Sequence, residues 1–157
     1  MQPSAEMMKR AAADAWQGLR VDTPTELAEL EDRWLLPYRG MQVIQIRVSH
    51  QLTLLLDSGA HVDIEAEAVL GHGPLSAPDA TMARLVPECQ EVAPALALFR
   101  ATVLSSVAFK SGALWLSFDT GAHLNVKSDH QYEAWSAHGP GTLLLVCLPG
   151  GDLTVWR

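Results

Sequence analysis

Cysteine is nearly absent from this sequence: there are two, Cys89 and Cys147, in 157 residues. They share no motif spacing, so neither a disulfide scaffold nor a cysteine zinc site is expected. Cys147 lies in the apolar run TLLLVCL and reads as a small buried hydrophobe, whereas Cys89 sits in the polar stretch VPECQEV. Two free thiols suit a reducing compartment. Long apolar runs are also missing. None approaches the ~18 residues of a membrane helix, and Glu6 and Asp14 interrupt the N-terminal stretch, so no export or membrane segment is expected. The expectation is a cytoplasmic protein. Basic residues are in the minority, 11 against 18 acidic ones, for a formal net charge of -7. Such a surface repels phosphate backbones, which argues against a nucleic-acid partner. It attracts a basic protein, although mild acidity also serves solubility alone.

Catalytic signatures are missing as well. No serine has a nucleophile-elbow context, and no glycine-rich loop joins a strand to a helix, since Gly71-His72-Gly73 runs into Pro74. The reading leans away from an enzyme. No cofactor is expected.

What is present is enough apolar material for a core, 48% of residues against 18% charged, at a length that suits one domain. Residues 1–22 read as a tail or helix, with Met8, Ala12, Ala15, Trp16 and Leu19 at helical spacing. The segment TPTELAELEDRW, residues 23–34, predicts a helix: Thr23 precedes Pro24, Thr23 and Glu26 have capping-box spacing, and Pro37 and Gly40 end it. After Gly40 the period changes. Val43–Val48, an alternation at Leu52, Leu54 and Leu56, a turn at Asp57-Ser58-Gly59 and a second alternation at Val62, Ile64 and Ala66 predict a three-stranded meander.

The meander returns. LTLLLDSGAHVDI at residues 52–64 matches LWLSFDTGAHLNV at residues 114–126, and the later EAV…HGP at 67–74 matches EAW…HGP at 133–140. The expected class is therefore mainly β (α+β), with two tandem antiparallel β-meander repeats, at about 39–74 and about 100–140, inside one β-rich domain over 23–157. The two amphipathic meanders either bury their apolar faces against each other or continue as one curved sheet. Between them a Pro-rich segment reads as loop, ending in a short linking helix at PALALF with Pro94 at its start. A C-terminal hairpin, 141–157, follows. Its first strand, GTLLLVCL, is continuously apolar and expected to be central and covered on both faces, and Pro149–Asp152 is the turn.

Four histidines form two repeat-related pairs, His61 with His123 and His72 with His138. A pseudo-twofold fold could bring a pair together, but no metal-binding spacing is present, so no metal is expected and the histidines read as polar turn residues bonding nearby backbone. Asp57 and Asp119 open matching D-[ST]-G turns. Two such carboxylates could serve as an acid/base pair, but the following Ala-His-Val-Asp-Ile is the return strand of a hairpin, and a tight turn is reason enough for Asp and Gly. Tyr132-Glu133-Ala134-Trp135 either anchors a partner or packs in the core, Trp135 standing where the first copy has Val69. Asp57, Asp63, Glu65 and Glu67 are candidates for an acidic binding face, although a solvated strand face also explains them.

GALWLSFDTGAHLNV, YEAW, HGPG and LPGGDLTVW resemble a bacterial family of small proteins of unknown function, with a G-x-L-x-L-x-F-x-x-G core, an EAW tripeptide and a terminal PGG-x-L-x-V-W. The resemblance runs over about residues 35–157. It implies no activity and assigns no functional residue. Similar small acidic β-rich proteins are often immunity proteins of bacterial toxin systems. By that analogy the first functional expectation is a non-catalytic protein-binding module that occludes a basic toxin. The second is a small-molecule binder or enzyme with a cleft between the meanders, near Asp57, His61, Asp119 and His123. The third is a homodimeric scaffold paired through an open sheet edge.

Overall fold

The computed structural model describes residues 26–74 and 81–157. The expectations for residues 1–22, and the Pro-rich stretch over 75–80, lie outside the described residues.

The alternating segments form strands where the pattern places them. β1 (Ala28–Glu29) and β2 (Arg33–Leu35) come first. β3 (Val43–Val48), β4 (Leu52–Leu56), β5 (His61–Ile64), β6 (Ala68–His72) and β7 (Thr81–Leu85) follow. After two short 3-10 helices, Pro87–Cys89 and Ala93–Leu98, come β8 (Val103–Phe109), β9 (Leu114–Phe118), β10 (Ala122–Val126), β11 (Trp135–His138), β12 (Leu144–Cys147) and β13 (Leu153–Trp156). All pair antiparallel in two sheets. One has seven strands in the order β1-β2-β8-β9-β10-β6-β7, the other six in the order β13-β12-β11-β5-β4-β3.

The connectivity is reciprocal. Meander β3-β4-β5 lies in the six-stranded sheet, but the next strand, β6, crosses to pair with β10. Meander β8-β9-β10 lies in the seven-stranded sheet, but β11 crosses back to pair with β5. Register slips at Val43/Gln45 in β3 and at Val103/Ser105 in β8, matching places in the two meanders. The tight turns of β4–β5 and β9–β10 use Gly59 at φ 86° and Gly121 at φ 88°, a backbone conformation that side chains with a Cβ rarely adopt.

One apolar core is shared by both sheets. Leu52, Leu54 and Ile64 from one and Leu114, Leu116 and Leu124 from the other are all buried in the same cluster. Alternation explains this, since every second residue of an amphipathic strand faces the partner sheet. The meanders thus bury their apolar faces against each other, one of the two expected solutions. Backbone bonds between Gly40–Val43 and Ala101–Val103 tie the sheets together where β3 and β8 begin.

Two expectations are corrected. Over the described part of 23–34 there is no helix. Ala28–Glu29 pairs with Trp34–Leu35, and Arg33–Leu35 pairs with Val107–Phe109. The local helix signals lose to a ladder with strand β8, distant in sequence, because tertiary pairing overrides weak propensity. Thr81–Leu85, read as loop, is an edge strand on β6. Strand β12 lies inside its sheet, between β11 and β13 and one place from the edge, and is covered on both faces as expected: Leu145 and Cys147 are buried in the core and Val146 is buried on the other face. The linking helix is present as the 3-10 turn Ala93–Leu98, with a proline at its start.

Candidate functional site

In β5, Val62 and Ile64 face the core, so His61 and Asp63 face outward. In β11, Trp135 and Ala137 face the core, so Ser136 and His138 face outward. The two strands are neighbours, with His61 opposite His138 and Asp63 opposite Ser136. Four polar side chains therefore meet in the middle of the six-stranded sheet.

The imidazoles of His61 and His138 stack, with centroids 4.2 Å apart and planes 10° from parallel. Asp63 Oδ2 lies 3.7 Å from His61 Nε2 and 3.4 Å from His138 Nε2. Its other oxygen, Oδ1, accepts a 2.5 Å hydrogen bond from the Thr53 hydroxyl of β4, which orients the carboxylate. The side chains are 32% (His61), 33% (His138) and 16% (Asp63) exposed, so solutes reach them. Burial, and then the neighbouring His61, lower the pKa of His138 below 6.5 against the opposing pull of Asp63, which favours the neutral ring. From the core side, the buried Tyr38 hydroxyl donates to the His138 carbonyl at 3.3 Å.

The cluster is not a serine–histidine–aspartate relay. Ser136 Oγ is 2.9 Å from His138 Nε2, the same nitrogen that faces Asp63. A relay needs the hydroxyl and the carboxylate on opposite ring nitrogens. What the group offers is two imidazole nitrogens and a carboxylate oxygen, all within 4.8 Å of one another, a set able to hold a cation or a hydrogen-bonding ligand. Apolar neighbours flank it: Leu55 pairs with His61, Leu144 with His138, and Trp156 with Leu144.

The other candidates are dispersed. Neither of the two histidine pairs matched in the sequence shares a sheet: His61 and His138 belong to one, His72 and His123 to the other. His72 bonds the Thr120 carbonyl at 2.9 Å and His123 the Gly73 carbonyl at 3.2 Å, both backbone roles. Asp57 and Asp119 stand at hairpin turns of different sheets, and Asp119 Oδ1 accepts from the Thr102 backbone N–H at 2.9 Å. The acidic set does not form one face. Glu67 is paired with Arg84 of β7, across in the seven-stranded sheet. Glu65 stands beyond Asp63 at the end of β5, its pKa raised by burial, then by Glu133 and Asp63, against the opposing effect of His50. The aromatic tetrapeptide divides: Trp135 is buried with its indole N–H donating to the Gly112 carbonyl at 2.9 Å, while Tyr132 is 69% exposed beside exposed Glu133.

Thr53, Ser136 and His138 complete the group but are not expected from sequence as partners of His61 and Asp63. Strand parity puts each on a polar face. Which strands are neighbours is a tertiary fact, and β5 meets β11 only through the crossover.

The family model described as a family of unknown function (DUF6188) matches residues 34–157. No curated protein and no solved structure matches the chain.

Proposed function

Since this chain belongs to the family of unknown function DUF6188, which lends it no activity, we propose from its own surfaces that it is a non-catalytic binding protein. Its contact surface is the outer face of the six-stranded sheet. One observation carries this: the two outer faces differ. In the middle of the seven-stranded sheet the outward residues Val107, Phe109, Trp115 and His123 are already buried, at 0%, 5%, 5% and 7% exposure, and only toward its β7 edge is an outward apolar residue, Met82, exposed. On the six-stranded sheet the outward residues Gln45, Arg47 and Trp156 are exposed and His61 and His138 half-buried. A large aromatic beside polar groups of fixed orientation is the composition of a protein contact.

The net charge of -7 suits a basic partner, and with the immunity analogy the partner class is a basic toxin. We also read the two meanders as copies of one duplicated unit, supported by the matched motifs and the reciprocal crossovers. Purification of the tagged chain from its native cell tests the function. The expected result is a stoichiometric basic protein that is released at high salt, is lost with Trp156→Glu, and is toxic unless this chain is co-expressed. A partner retained by Trp156→Glu, or none at all, rejects the reading. A second reading, a small-molecule binder, draws its support from the His61–Asp63–His138 group, because the space between the sheets is occupied by the core.

A further inference from the structure

We propose that His61, Asp63 and His138 form a binding site for a single divalent transition metal ion of the zinc class on the outer face of the six-stranded sheet.

The distances fit coordination better than they fit hydrogen bonding. Nε2–Oδ2 separations of 3.4 and 3.7 Å are longer than good N–H···O bonds, which run to about 3.2 Å. Two ligand atoms each ~2.1 Å from a tetrahedral ion lie about 3.4 Å apart, so the two edges from Asp63 are near coordination length already. The third edge, between the two imidazole nitrogens, lies within the 4.8 Å span and closes by rotation of the stacked rings. Both histidines sit on hydrogen-bonded neighbouring strands, so the backbone positions of the ligands are fixed before the ion arrives.

The surroundings supply what an ion needs beyond its ligands. Thr53 holds Asp63 Oδ1, leaving Oδ2 turned to both rings, the second-layer support that carboxylate ligands commonly have. Ser136 bonds the His138 nitrogen at 2.9 Å, and on metal binding this hydroxyl yields the nitrogen to the ion. Glu65 adds negative potential two residues beyond Asp63. Leu55 and Leu144 flank the two histidines. Two imidazoles with one carboxylate select borderline ions such as Zn²⁺ over Mg²⁺ or Ca²⁺, which prefer all-oxygen shells. Three protein ligands leave a fourth position open to solvent, which a water or a partner's side chain fills.

The test is calorimetric titration of the purified full chain with Zn²⁺ alone, with histidine resonances followed by NMR. Expected are one ion per chain, selective perturbation of the His61 and His138 imidazoles, and at least tenfold weaker binding in each of His61→Ala, His138→Ala and Asp63→Asn. His72→Ala, in the other sheet, binds as the parent does. Circular dichroism of each variant reports whether the fold is kept; if an alanine variant unfolds, His138→Gln replaces it. Absence of binding, or binding that survives loss of both His61 and His138, overturns the proposal. It would not touch the partner-binding reading, which is scored by Trp156→Glu.

Discussion

The imidazole of His123 lies flat on the indole of Trp115, centroids 5.1 Å apart and planes 9° from parallel, directly above Gly71 on the neighbouring strand. A Cβ at position 71 would stand 2.1 Å from His123 Cε1 and 2.8 Å from both ring nitrogens. Only glycine leaves room for the ring. Gly71→Ala therefore displaces His123 from Trp115 and from the Gly73 carbonyl. Denaturant unfolding is expected to show a loss of about 1–3 kcal/mol, the usual cost of overpacking. In a His123→Ala background the same change is expected to cost much less, so the double-mutant cycle attributes the effect to this contact.

His123 also makes stability depend on pH. Burial lowers its pKa below 6.5, with a smaller contribution from His72, against the opposing bond to Gly73. The unfolded chain then binds the proton more readily than the folded one. Stability is full above the unfolded value near 6.5 and falls as pH drops from there toward the folded value. Unfolding midpoints measured between pH 7.5 and 5 are expected to decline, and His123→Phe flattens the decline. His138 is shifted in the same direction, so part of the slope remains.

The aromatic pair Tyr132 and Trp135 should separate by experiment. Trp135→Phe loses the indole bond to Gly112 in a buried site and is expected to cost about 1–3 kcal/mol in chemical denaturation. Tyr132→Ala changes an exposed side chain and is expected to stay within ~0.5 kcal/mol. Equal losses for the two variants would contradict their placement.

The cysteines should differ in reactivity. Cys89 is exposed, whereas Cys147 is buried and its thiol is pushed up to about 11, chiefly by burial. Under native conditions a thiol reagent at pH 8 is expected to modify Cys89 alone, with Cys147 modified only on unfolding. Mass mapping of the labelled peptides checks this.

Strand alternation made much of the fold legible. The apolar positions of 43–64 and 114–126 are spaced by two, which fixes strands, turns and the inward face without reference to the rest of the chain. The resemblance to a family of unknown function was likewise readable over about residues 35–157, and the family match runs over 34–157. The described part of residues 23–34 forms strands rather than the expected helix because its helix signals are local and weak, while the ladder to β8 is long-range. Thr81–Leu85 carries no strand signal in the sequence because an edge strand with one partner needs little apolar pattern.

The candidate site shows the same division. The sequence by itself put His61 and Asp63 on the polar side of one strand, and Ser136 and His138 two apart in another segment, through the period-two geometry of an extended chain. It singled out the histidines but matched them by motif, His61 with His123 and His72 with His138. Tertiary structure alone decided that β11 crosses to lie beside β5, in the register that sets His138 opposite His61 and Asp63 between their nitrogens. Alternation is a property of each strand taken singly. Adjacency is decided by which pairing lets both meanders bury their apolar faces in one core, and that depends on the whole chain.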